Sequence, residues 1–219
     1  MPAGAWQISR RRGVSILFVM ATEQEYGSEL KKRISPLITG VGPVEAAAAT
    51  AGTLATLEVK ADLPDLVFSL GSAGSRNLEH AEVYQLASVC YRDMDCSPLG
   101  FEPGLVPFLG EPAVIEIRHQ IPGIAAASIA SGASIVSGVA YDGVAADMVD
   151  MESYAVYRAA RRFGVPMIGL RGITDGKTEL SRYEDWADYL EIVDGKLAND
   201  IDRFFAAIDE GSFALSKRA

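Results

Sequence analysis

Pro166-Met-Ile-Gly-Leu-Arg-Gly-Ile-Thr-Asp175 is an almost wholly apolar run that closes on a carboxyl group. It reads as a buried strand over 167–173. Two other runs share this design. Val14-Ser-Ile-Leu-Phe-Val-Met20 is followed shortly by Glu25, and Met148-Val-Asp-Met-Glu152 ends on an acid just before a helical pattern. In an open α/β sheet the ligand crevice lies beyond the carboxyl ends of the strands. Glu25, Glu152 and Asp175, far apart in the chain, can therefore converge on one pocket. A carboxyl cluster in a chain with two histidines points to acid/base chemistry without a metal.

Outward from these runs, strands alternate with helices. Residues 23–32 read as a helical start and 34–39 as a short strand. Gly40-Val-Gly42-Pro43 punctuates, and the Ala-rich 44–57 is helical, with Pro43 suited to a first helical turn. Further strands are expected over 65–70, 82–92, 114–117 and 124–136, with a loop over 93–109. Helices are expected over 153–163, stopping at Gly164, and over 186–208. This alternation predicts one α/β domain over 13–210, a central mixed twisted sheet surrounded by helices. Residues 1–12 are expected to be a flexible extension, and 211–219 a fraying tail.

Composition narrows the function. The chain has 219 residues, 49% of them apolar and 22% charged, enough for one well-filled core. A formal net charge of −9 argues against nucleic acid or an anionic membrane as partner, but not against an uncharged nucleoside. Cys90 and Cys96 match no zinc spacing and read as two reduced cytosolic thiols. His80 and His119 read as surface residues. Arg10-Arg11-Arg12 before an apolar stretch imitates a secretory leader. The stretch is short, β-branched and followed at once by acids, so a first buried strand is the better reading. No segment is long enough to span a membrane.

Single motifs are ambiguous. Gly40-Val-Gly42 and Gly71-Ser-Ala-Gly74 could let backbone N–H groups approach a ligand, or could be plain strand-to-helix turns. Tyr141 could stack on a purine or be a core aromatic, and Met151 reads as core. Asp175 and Glu152 could be caps. Taken together, three acids and two glycine turns favour a site.

These elements in order resemble the 5′-methylthioadenosine/S-adenosylhomocysteine nucleosidases of the nucleoside phosphorylase superfamily. The resemblance rests on Ala21-Thr-Glu-Gln-Glu25, Thr39-Gly-Val-Gly-Pro-Val-Glu-Ala-Ala47, Gly71-Ser-Ala-Gly74, Ile135-Val-Ser-Gly138, Val149-Asp-Met-Glu152 and Arg171-Gly-Ile-Thr-Asp175. It implies a partly barrel-like mixed sheet, a homodimer, a cytoplasmic setting in sulfur (methionine) salvage, no cofactor, and irreversible hydrolysis of an adenine N-glycosidic bond. Glu25 falls on the position that activates water and Asp175 on the acid for N7 of the base. Glu152 falls on the residue holding the ribose hydroxyls, with Met151 against the sugar. Ser72, with Ala73 and Gly74, falls near the ribose and the water. Tyr141, followed by Asp142, falls on the stacking aromatic. The chain departs from the pattern at Thr22, where methionine is common, and at Asp142, Gly176-Lys177 and Arg92. Tyr183 and Trp186 are candidates to close the 5′ end of the pocket. Competing readings are a phosphate-dependent phosphorylase with Arg76 as the nearby cation, another purine nucleoside hydrolase such as one for futalosine, and a nucleoside sensor without turnover.

Overall fold

The computed structural model describes residues 6–176, 186–187 and 189–215. Strands β1 (Ser9–Arg11) and β2 (Val14–Met20) pair antiparallel, and β2 runs parallel to β3 (Leu37–Ile38) and β4 (Leu66–Gly74). Apolar side chains on both faces of β2 are buried, as expected of a strand covered on two sides. Helix α1 (Ser28–Lys31) and helix α2 (Pro43–Val59) separate these strands. The remaining strands are β5 (Val83–Tyr91), β6 (Val114–Glu116), β7 (Ala126–Ser131), β8 (Met148–Asp150) and β9 (Met167–Asp175). Helix α3 (Ser153–Arg162) precedes β9, and α4 (Leu190–Glu210) packs across the sheet.

The sheet closes on itself. Strand β4 pairs with β8 and β9, β8 with β7, β7 with β5, and β5 with β9, so five strands form a ring within the nine-stranded mixed sheet. Closure leaves these strands no free edge and confirms the partly barrel-like α/β architecture. It also brings three strand ends together: Gly74 pairs with Val149 on one side and with Asp175 on the other. A register shift between Ala73 and Gly74 skips Thr174. Such a bulge re-aims the side chain that follows it, here Asp175.

Aromatic packing anchors α4 to the sheet. Phe68 meets Phe204 edge-on at 4.9 Å and stacks on Phe18 at 5.3 Å. A side chain at Gly172 would collide with Val193, so glycine on β9 sets how closely α4 approaches.

Several boundaries differ from those expected. Part of the supposed extension is a strand: Arg10 and Arg11 pair with Asp62 and Asp209, and Arg11 also lies over the Phe205 ring. A non-local ladder and ion pairs hold a segment that has no apolar pattern of its own. The tail past Gly211 includes Phe213, buried against Phe204 at 5.0 Å, with its amide bonded to the Ala207 carbonyl. The 23–32 helix is a 3₁₀ turn (Glu23–Glu25) plus α1, and the 124–136 strand is only β7. Tyr183 and Lys177 lie outside the described residues. No helix among the described residues is long and apolar enough to cross a membrane.

Candidate active site

A cavity of about 750 Å³ opens where β4, β8 and β9 end. Glu25, Ser72, Ala73, Gly74, Met151, Glu152 and Asp175 all line it, joined by Asp150 and Trp186. Its size suits a nucleoside with a further substituent. Three carboxyl groups from separate parts of the chain thus face one space.

Glu25 is delivered by the 3₁₀ turn after β2, whose N-cap is Thr22: its hydroxyl accepts from the Gln24 amide at 3.3 Å. The threonine that departs from the family pattern is thus the cap of the turn carrying Glu25. Glu25 Oε1 accepts the Ser72 amide at 2.7 Å and the Ser72 hydroxyl at 2.6 Å, and Trp186 Nε1 donates to that hydroxyl at 3.0 Å. Buried Glu25 Oε2 has no hydrogen-bond partner among the described residues and is free to accept from a ligand. Burial pushes the Glu25 pKa up, while Ser72 and the Arg171 charge pull against it.

Glu152 sits between the starts of two helices. It is the N-cap position of α3, and its Oε1 accepts the Gly42 amide ahead of α2 at 2.7 Å. Gly42 has φ 96°, which glycine adopts without strain, and Pro43 begins the helix behind it. Burial, then the neighbouring Asp150 charge, pushes the Glu152 pKa up to about 7. Asp175 Oδ1 accepts the Thr174 hydroxyl at 2.9 Å. Burial raises the Asp175 pKa against the pull of that bond and of His80. His80 is therefore half-buried near the acid, not a plain surface residue; its ring meets Tyr189 edge-on at 5.2 Å.

Below the cavity lies a closed polar network. Arg171 and Asp150, both 2% exposed, form an ion pair at 3.0 Å. Ser131 and Ser153 hydroxyls donate to Asp150 at 2.6 Å each, and Arg171 also donates to the Ser69 and Ser153 hydroxyls at 2.8 Å.

Two expected residues do not line the cavity. Tyr141 is not among the lining residues: it is buried in a small cluster with Val136 and Val149, with its hydroxyl on the side of Gly74 that Asp175 Oδ2 also faces. Asp142 pairs with Arg76 at 2.6 Å and is 71% exposed. The apolar lining comes from Val41, Ile135, Val136, Val149 and Met151. Arg92 holds the segment carrying Ile135 by donating to the Ser134 carbonyl at 2.6 Å and hydroxyl at 3.1 Å. Sequence reasoning misses Val41, Gln24, Ser134 and Val136 as lining residues. The signals for them are their places in or beside quoted motifs: Gln24 in Ala21-Thr-Glu-Gln-Glu25, Val41 in Gly40-Val-Gly42, Val136 in Ile135-Val-Ser-Gly138 and Ser134 just before it. Among the described residues, no group of three or more His, Cys, Asp or Glu could hold a metal ion.

A model of the Phosphorylase superfamily matches residues 21–206, and the chain belongs to that superfamily. A 5′-methylthioadenosine/S-adenosylhomocysteine nucleosidase of Hydrogenovibrio crunogenus is 30% identical over 174 residues, covering 69% of this chain and 72% of that one. Within the superfamily, then, the chain is a member of the 5′-methylthioadenosine/S-adenosylhomocysteine nucleosidase family, whose members are N-glycosyl hydrolases. The fold is shared with futalosine hydrolase of Helicobacter pylori (TM-score 0.74, 19% identity, 89% of this chain and 98% of that one). It is shared also with the Neisseria meningitidis nucleosidase in complex with methylthio-immucillin-A (TM-score 0.70, 20% identity, 86% and 97%).

Proposed function

We propose that this enzyme hydrolyses the N-glycosidic bond of 5′-thio-substituted adenosines, 5′-methylthioadenosine and S-adenosylhomocysteine, to adenine and the thio-ribose product. The observation that carries the reading is the convergence of Glu25, Glu152 and Asp175 on one cavity, each with its pKa raised by burial. Cleavage builds positive charge on the ribose and negative charge on the purine. Asp175, whose burial favours the protonated form, gives its proton to N7 as the C–N bond breaks. Glu25 accepts a proton from water through Oε2, and the water oxygen bonds the anomeric carbon. The two Ser72 hydrogen bonds and Trp186 behind them fix that carboxylate. Glu152 accepts from the ribose hydroxyls, and Met151 lies against the sugar. The base rests among Val41, Ile135 and Val136 in place of an aromatic ring.

Hydrolysis is preferred to phosphorolysis because no lysine or arginine is among the described residues lining the cavity. Arg76 is engaged by Asp142 and Arg171 by Asp150. A phosphate dianion would instead meet three carboxyl groups. The enzyme acts as a cytoplasmic homodimer in sulfur salvage, without nucleic-acid or membrane partners. The test is adenine release from each thioadenosine, followed by absorbance with and without phosphate. Equal rates and free thio-ribose are expected. Ribose 1-phosphate products would replace this reading with a phosphorylase, and a marked preference for futalosine would replace the substrate class.

A further inference from the structure

Tyr141 is 8% exposed, and its hydroxyl has no hydrogen-bond partner among the described residues. A buried hydroxyl left unpaired is costly, so its direction is informative. It is aimed at Gly74. A side chain added there would overlap the Tyr141 hydroxyl and stand 2.6 Å from Asp175 Oδ2. The phenol and the carboxyl group therefore border one methyl-sized space above glycine backbone. The Thr174 hydroxyl already occupies Asp175 Oδ1, which leaves Oδ2 to carry the acid's proton.

The ring is held there by apolar packing and a cation. Val136 and Val149 pack against it, and the Arg76 guanidinium lies 5.4 Å over its face. Arg76 also donates to Asp142 at 2.6 Å and to the Gly138 carbonyl, so it grips both ends of the turn Gly138–Gly143 that contains Tyr141. Asp142 thereby acquires a role its departure from the family pattern left open: it is the anchor of the cation that pins the tyrosine.

We propose that Tyr141 is a positioning residue for Asp175, its hydroxyl donating to Oδ2 as that oxygen hands its proton to the leaving base. This rests on the reading of Asp175 as the acid. In the step the Oδ2–H bond breaks, the N7–H bond forms, and the bonding pair of the C–N bond passes to the purine. The negative charge left on Asp175 is met by the phenol, which keeps its own proton. Burial, then the Asp175 charge, holds the phenol above its ordinary pKa, so it remains a donor throughout the working range. The charged and titratable described groups around the pair are His80 for Asp175, and Arg76 and Arg92 for Tyr141; none of them changes in the test variant.

Tyr141→Phe keeps the ring and removes only the donor. A fall in kcat of about tenfold is expected, together with an upward move of about one unit in the alkaline limb of the pH–rate profile, because the carboxylate loses a group that favoured it. Carboxyl-carbon NMR of Asp175 in the ligand-free protein reads the same upward shift without turnover. Loss of cleavage in Asp175→Asn tests the acid role separately, so the positioning role of Tyr141 can fail while the reading of Asp175 as the acid stands. An unmoved Asp175 titration in Tyr141→Phe overturns the proposal, leaving the phenol as packing. A downward shift also overturns it, since the hydroxyl would then be an acceptor for the protonated acid.

Discussion

Asp150 and Asp175 stand at the ends of two strands that meet at Gly74, yet they belong to opposite kinds of environment. Asp150 is saturated: two serine hydroxyls, the Ser153 amide and the Arg171 guanidinium all donate to it. Asp175 accepts from the Thr174 hydroxyl on one oxygen and otherwise faces the cavity. The number of donors already in place separates a carboxylate tied into a buried polar network from a carboxyl group that accepts one side-chain hydrogen bond among the described residues. Burial raises the Asp175 pKa and so favours the protonated form that the proposed acid role needs.

Neutralising each side in turn tests the contrast most directly. Asp175→Asn and Glu25→Gln are each expected to lower kcat by about 10²–10⁴-fold with the fold retained, since the amide keeps the shape of the acid and an acceptor oxygen for the Thr174 or Ser72 hydrogen bonds. Steady-state kinetics beside a thermal melt would show it, and near-normal turnover in either variant removes the assigned role. Arg171→Met is expected to do the reverse first. Removing one partner of a buried ion pair costs about 3–5 kcal/mol, on the order of 10 °C in melting temperature for a chain of this size. A melt unchanged in Arg171→Met would mean that Asp150 does not depend on the pair.

A smaller effect probes the same difference through pH. The folded-state pKa of Glu152 is raised, to about 7. A carboxyl group raised on folding contributes stability that is fully present below its unfolded pKa and lost as pH rises through its folded one. Glu25 and Asp175 are shifted in the same direction. The protein is therefore expected to melt at lower temperature as pH rises from about 5 to 8. Glu152→Gln should flatten that slope, since the amide does not titrate. An identical slope in the variant would mean that Glu152 does not titrate in this window.

Much of the site is legible in the amino-acid sequence. Glu25, Glu152 and Asp175 stand out because each follows an apolar run, and strand ends in this fold class point at the crevice. Ser72 and Gly74 stand out with their glycine turn. Tyr141 is where such reasoning stops. An aromatic after a strand signals only that a ring is nearby, and this ring packs under Arg76 with its hydroxyl against Gly74. Residues 9–11 are likewise illegible, because their strand exists only where β2 offers an edge. Ile135 and Val136 are aliphatic residues with no chemical signal of their own. Their exposure to the cavity depends on Arg92 gripping Ser134 from another part of the chain.

The order of amino acids alone determined where strands stop and which acids stand at those stops, because burial pattern and chain direction are local properties. Which of these acids is tied into a buried network and which faces the cavity with few partners depended on the closed ring of strands. The bulge at Thr174, the antiparallel pairing of β9 with β5 and the grip of Arg76 on a distant turn all join residues far apart in the chain. A proton's affinity for a carboxyl group is set by its immediate surroundings, and in this molecule those surroundings are assembled from widely separated segments.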